Sequence, residues 1–326
     1  MRLVRRDDPH LRPLAIFVGC VVLLALADRG GKDFFSTATV FSTLETFATG
    51  GLVALGLGLT MMIREFDLSV VGMFSLAGCI AVLAGQHDAA LGLGCALAAG
   101  LVAGVVQGLL IMRLRLGSVG VTLGGLLVAS GAAYVLTENR LIPYENMEVA
   151  LALTAPIAGI FSIRSLLVLG LFAVAAVVIG VTRVGRDIIA IGSDRRAAVI
   201  AGVGVEGLVV GIFAFSGFCA SLSGALLSFG LASASPAGLS DVIVPAAAAA
   251  IIGGVSLAGG TGRPLGIALG VLTLAVLRAG FNAIGAPPYV NSIAMGAILL
   301  AVAILDGPYL PRRFPRLRLG SWVKDT

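Results

Sequence analysis

The chain has 326 residues, 58% of them hydrophobic and 12% charged, with a formal net charge of +5 and a mean hydropathy of +1.06. An ordinary soluble domain carries about 25% charged residues, so there is too little polar surface here to cover a globule. A separate soluble domain is excluded, and the basic excess is read from where its charges lie rather than as a sign of nucleic-acid binding.

In chain order, a short N-tail (1–13) precedes a first apolar run at 14–27. The small residues before Asp28 resemble a signal-peptidase site, but Asp7 and Asp8 in the tail favour an uncleaved first helix. Further runs follow at 46–63, 68–85, 89–112, 120–136, 166–182, 207–230, 242–258, 264–280 and 289–305. Each approaches or exceeds the ~20 residues that cross a ~30 Å hydrocarbon core. The expected fold is all-α: a polytopic transmembrane helical bundle of about ten spans over 14–306, with a basic C-tail at 307–326. With both termini cytoplasmic, 17 of the 22 Lys and Arg residues fall on the cytoplasmic side, the bias that sets orientation in membranes.

Glycines recur at spacing four: Gly100, Gly104 and Gly108; Gly207 and Gly211; Gly266 and Gly270. One small-residue face per helix lets backbones approach where lipid supplies no hydrophobic drive, so these are expected to be packing faces. The connection 183–206 is too charged to span. It is expected to form a short amphipathic helix on the cytoplasmic side, with Asp194 or Ser193 as N-cap.

Several chemistries lack their residues. No carboxylate falls in the middle third of an expected span, which disfavours an ion-coupled carrier. His10 and His87 are the two histidines, too few for a nucleophile–base pair in the membrane. No metal-ligand spacing occurs, and Cys20, Cys79, Cys95 and Cys219 sit in apolar runs as small hydrophobes. The turn from Gly253 to Pro264 lacks the Lys-Ser/Thr ending of a phosphate loop and reads as a tight connection. A body with small residues, few polar groups and a basic loop implies transport powered by another subunit: no enzyme, no cofactor.

The ordered motifs then carry a resemblance. The strings FDLSV (66–70) with FSLAG (74–78), GVVQG (104–108) with VTLGG (121–125), GRDIIAIGSDRRAAVIAGV (185–203), IIGGVSLAGGTG (251–262) and AVAILD (301–306) resemble, in the same order, the membrane permeases of ABC importers for simple sugars. The resemblance covers residues 40–306. It implies a monosaccharide or small polyol as substrate, a periplasmic sugar-binding protein, a cytoplasmic ATP-binding subunit, a second permease copy or paralogue, and a bacterial inner-membrane location among lipid. It also implies that the ATPase docks on the cytoplasmic helix within 185–202, with Arg186, Ala190, Gly192, Asp194, Ala197, Ala198 and Gly202 as working positions. The departures are Val71 for a usual Gly, Gln107 for Asn, Ser193-Asp194 for Gly-Asn, Ala279 for a frequent Asn, and no acidic pair in 240–250. Branched-chain amino acid importers share a similar glycine-rich plan and are the nearest alternative.

A sugar offers hydroxyls and no charge, so its path calls for scattered neutral polar groups. Ser69, Ser75, Gln107, Thr122 and Asn282 are candidates, together with Asp67. The dense cluster Arg64, Glu65 and Asp67 lies between the second and third spans. Asp67 is expected either to N-cap the third span or to face substrate at a helix break.

Overall fold

The computed structural model describes residues 11–27, 36–238, 242–283 and 285–306. The N-tail up to residue 10, the C-tail from 307, Arg29 and Lys32 lie outside the described residues, so their share of the charge bias has no structural counterpart here. The order is α1 (Leu11–Ala27), α2 (Thr37–Met62), α3 (Val70–Ala84), α4 (Ala89–Arg113), α5 (Ser118–Leu136), β1 (Ile142–Pro143), α6 (Met147–Thr154), α7 (Ile163–Val181), α8 (Arg183–Ser193), α9 (Arg195–Ile200), α10 (Val205–Gly230), β2 (Ser233–Ala234), α11 (Ile243–Ile252), α12 (Pro264–Ala283) and α13 (Pro288–Asp306). The protein is an all-α membrane protein, and a helix lies within each expected span, although that at 242–258 is helical only over Ile243–Ile252, the rest entering the glycine-rich turn. Six of these, α2, α4, α5, α7, α10 and α12, are long and apolar enough to cross a bilayer; α1, α3, α11 and α13 are shorter in their apolar part. At 1.5 Å per residue, the ten residues of α11 rise about 15 Å, half a hydrocarbon core.

The second helix begins nine residues before its apolar run. Ser36 caps it by accepting from the Thr39 amide, and the hydroxyls of Thr43, Thr46 and Thr49 donate to carbonyls four residues back. Those internal bonds let a polar turn continue as helix, and the extension places Glu45 inside α2.

Packing centres on α10, which lies against α4, α3 and α2. Glycine makes this close approach work. A methyl at Gly100 would strike the Gly217 carbonyl, and one at Gly104 the Phe213 carbonyl. Gly270 likewise meets the Ala249 carbonyl of α11, and Gly266 the Gly253 carbonyl just past its end. The pair Gly207 and Gly211 differs from expectation: neither has a neighbour within 4 Å. On α10 the contact face is carried instead by Gly217 and Gly224, the latter against the Phe74 carbonyl.

Two ends of the bundle are distinguishable. At one, β1 and β2 pair antiparallel, Ile142 opposite Ala234. At the other, α8 and α9 form the short connection between α7 and α10. Asp194 separates them and N-caps α9, accepting from the Arg196 amide at 2.8 Å and the Ala197 amide at 3.1 Å.

Candidate functional site

The charged cluster of the sequence lies at the α8–α9 end, where α2 stops. The Glu65 amide donates to the Thr60 carbonyl and the Arg64 amide to the Met61 carbonyl, both at 3.0 Å. This is the Schellman closure, whose left-handed residue is usually glycine. Here it is Arg64, at φ 63°, a conformation that costs a residue with a Cβ about 1–2 kcal/mol. The side chain explains the choice: Arg64 Nη2 donates to the Ser193 carbonyl at 2.7 Å, tying the end of α2 to the end of α8. Next along the chain, Glu65 Oε1 pairs with Arg195 Nη2 of α9 at 2.7 Å.

The glycine-rich turn 253–263 closes the junction. Gly259 and Gly260 adopt φ +78° and +75°, and the Gly260 amide donates to the Met62 carbonyl at 2.9 Å. Gly192 of α8 fits against both: a methyl there would strike the Met62 carbonyl and the Gly260 amide. Three motifs far apart in sequence, at 63–69, 192–195 and 253–263, thus share one backbone junction.

Deeper in, the break between α2 and α3 is held by neutral hydrogen bonds. The Phe66 amide donates to Ser118 Oγ at 3.5 Å and the Thr122 hydroxyl to the Phe66 carbonyl at 3.1 Å, both on α5. Asp67 is 1% exposed. It accepts from the Ser69 amide at 3.0 Å, the Ser69 hydroxyl at 2.6 Å and, across the bundle, the Ser216 hydroxyl of α10 at 2.7 Å. The expectation that Asp67 N-caps α3 is corrected. Ser69 holds that position without a side-chain cap, because Asp67 is used up in a turn of its own and in the bond to α10.

Of the neutral candidates, Ser69, Gln107 and Thr122 gather with Asp67. Gln107 Nε2 lies where a methyl on Gly125 of α5 would reach, beside Ser69. Gln107 also lines an open groove of about 700 Å³ between α4 and α5, with Met73 and Gly125 among its other walls. Its buried Oε1 has no hydrogen-bond partner among the described residues. Ser75 is buried on α3 against Gly238. Asn282 stands apart, exposed on α12, which packs on α1, α2 and α11. A smaller cavity of about 340 Å³ opens at the junction itself, walled by Glu65, Arg115, Ser118 and Arg195.

The docking candidates divide by face. Gly192 and Ala198 are buried, Ala190 is half-buried, and Arg186, Asp194, Ala197 and Gly202 are exposed. Beside the exposed set stand Val199 and Ile200, the latter 88% exposed, an apolar tip that the sequence reading did not single out. The Asp194 carboxyl lies below the usual range, through the Ala197 and Arg196 amides first and the Arg196 and Arg64 guanidiniums after them.

One cluster escaped the sequence reading. Arg164, expected in a loop, lies in the first turn of α7 and is 5% exposed. Its Nη1 pairs with Glu45 Oε2 at 3.0 Å and its Nη2 donates to Thr49 Oγ1 at 3.0 Å. Glu45 also accepts from the Ser162 hydroxyl, and Ser162 with Ser165 forms the capping box of α7. The serine three residues on from Ser162 was the available signal; Glu45 was hidden by drawing its span from residue 46. Among the described residues, no three His, Cys, Asp or Glu side chains gather as a metal site.

Residues 39–303 match the family described as branched-chain amino acid transport system, permease component. The chain belongs to this family. Within it, the ribose import permease of Escherichia coli K12 is 28% identical over 89% of this chain and 92% of its own. The fructose import permease of Rhizobium meliloti is 28% identical over 92% of this chain and 86% of its own. The autoinducer 2 import permease of Photorhabdus luminescens is 29% identical over 91% and 90%. No solved structure matches. The junction at the α8–α9 end joins the 183–206 connection to the polar break beside the α4–α5 groove.

Proposed function

We propose that this protein is the membrane-spanning permease subunit of a bacterial ABC importer, moving a monosaccharide or related small polyol handed over by a periplasmic binding protein. A separate ATP-binding subunit supplies the work, and the chain has no ATPase site of its own. The observation that carries this reading is the agreement of full-length relatives, each named as an import permease for ribose, fructose or autoinducer 2. Amino acids appear in the family's description, but not in those names.

Ten helices span the inner membrane in this reading, the shorter ones crossing as part of a packed pair, with both termini cytoplasmic. The ATPase docks on the exposed side of α8 and α9, through Arg186, Asp194, Ala197 and Gly202 together with Val199 and Ile200; Ala190, Gly192 and Ala198 seat these helices from below. Exposed apolar side chains on α5, among them Leu127, Val128 and Val135, face lipid or a second permease copy. Sugar passes beside Gln107, whose unpartnered Oε1 suits a hydroxyl donor, with Ser69, Ser75, Thr122, Asp67 and Asn282 as the other path candidates.

The test is transport in vesicles. The chain, the ATPase and the binding protein encoded beside it are reconstituted, and radiolabelled ribose and fructose are supplied, with leucine as the amino-acid probe. Accumulation of either sugar that requires all three proteins and ATP is expected. Accumulation by the chain alone on a proton or sodium gradient overturns the reading, and accumulation of leucine alone moves it to the amino-acid branch.

A further inference from the structure

Two observations at the α8–α9 end need a reason beyond packing. Arg64 occupies a left-handed position where glycine closes a helix at less cost, and it uses the side chain so kept to hold the Ser193 carbonyl. Its neighbour Glu65, with its side chain 11% exposed, reaches Arg195, whose side chain is 39% exposed. Both bonds leave the same two-residue step, and both end within three residues of one another, on either side of Asp194.

What lies behind that step is not helix. Residues 63–69 carry no α-helix, so a shift there need not break the hydrogen-bond ladder of α2 or α3. The same segment is bonded onward, through Phe66 to Ser118 and Thr122 of α5 and through Asp67 to Ser216 of α10. Ser69 lies beside Gln107 and Gly125 of the groove wall. A displacement of α8 and α9 therefore has a continuous bonded route into the middle of the bundle that does not run through the helix axis of α7. The cavity walled by Glu65, Arg115, Ser118 and Arg195 leaves room at the junction for the pair to shift.

We propose that Arg64 and Glu65 are positioning residues for transport, the tether that delivers movement of the docked α8–α9 connection to the 63–69 break. This rests on the importer reading given above. It predicts a separation between holding the fold and passing the signal, since glycine at position 64 restores the residue that a Schellman closure prefers while removing the tether.

The experiment measures hydrogen exchange of the 63–69 amides in the full-length chain, with and without the neighbouring ATPase loaded with a non-hydrolysable ATP analogue. In the unmodified protein, docking is expected to change exchange across 63–69. Arg64→Gly and Glu65→Gln are expected to keep the thermal unfolding midpoint and to retain the ATPase on affinity capture. In each, the exchange response of 63–69 is expected to fall about fivefold or more, the lower end of coupling between sites. A full response in both variants overturns the tether. Should Glu65→Gln unfold early, Arg195→Gln breaks the same ion pair from its more exposed side, and a full response in it and in Arg64→Gly overturns the tether. If the ATPase does not bind the unmodified chain, the importer reading itself fails, an outcome distinct from loss of response in a variant that still binds.

Discussion

The first and second halves of α2 are fastened in opposite ways. At the ribbon end, Glu45 and Arg164 form a pair with side chains 19% and 6% exposed, backed by Ser162 and Thr49. At the α8–α9 end, Arg64 sits in a strained conformation and Glu65 reaches a half-exposed partner. The first keeps its arginine away from water, so removing the carboxylate leaves a buried charge without compensation. The second keeps its arginine in contact with solvent, where an ion pair forms and breaks at little cost. The helix is thus clamped at one end and adjustable at the other.

The largest effect is expected from breaking the clamp. Glu45→Ala strands Arg164 and costs about 3–5 kcal/mol, the range for an orphaned buried ion; thermal unfolding in detergent and membrane abundance both report it. Glu45→Gln, which keeps an acceptor for Ser162, is expected to fall between Ala and the native residue.

An intermediate effect is expected at the inner anchor. Ser216→Ala removes one of three donors to Asp67 and costs about 1–3 kcal/mol, the range for under-serving a buried acceptor. Asp67→Asn sharpens the point. Low membrane abundance marks Asp67 as a structural anchor, whereas normal abundance with lost uptake marks it as part of the path.

Small effects on stability are expected at the adjustable end. Glu65→Gln is expected to change stability by about 1 kcal/mol or less, as for a pair open to solvent on one side, read from the unfolding midpoint. A shift as large as that of Glu45→Ala would erase the contrast between the two ends.

The smallest effect is one of pH. Asp194 is held ionised below its ordinary range by the Ala197 and Arg196 amides. A depressed carboxyl contributes stability that is present in full above its unfolded pKa and lost as pH falls through the folded one. The start of α9 is therefore expected to be intact at neutral pH and to loosen only in acid, below the ordinary aspartate range. Amide exchange at Arg196 and Ala197, compared with Asp194→Ala at each pH, measures this.

Much of the architecture was legible because most of the long helices are written as apolar runs bounded by charge or glycine; the short α6 (Met147–Thr154) was not, since it lies in a connection read as a loop. The start of α2 was not, since a Ser/Thr-rich turn reads as polar until its hydroxyls are seen bonding back into their own helix. The glycine faces were half legible. Spacing by four marked Gly100, Gly104 and Gly108 correctly, yet it marked Gly207 and Gly211 equally, and only the partner backbone distinguishes a used face from an open one. For the site, local chemistry named Arg64, Glu65, Asp67 and Asp194 one by one, and the family resemblance added Gly192. That the first two reach Ser193 and Arg195, or that Asp67 reaches Ser216 across 149 positions, is a fact of tertiary placement. No spacing rule contains it.

The fit of Gly192 against Met62 and Gly260 has a consequence for what this corner tolerates. Its underside admits no side chain, so any larger residue at 192 has to push the last turn of α2 and the glycine turn apart. Ile189, Val199 and Ile200 are exposed, and replacing them disturbs no neighbouring backbone: one small stretch of protein with a rigid face and a permissive one.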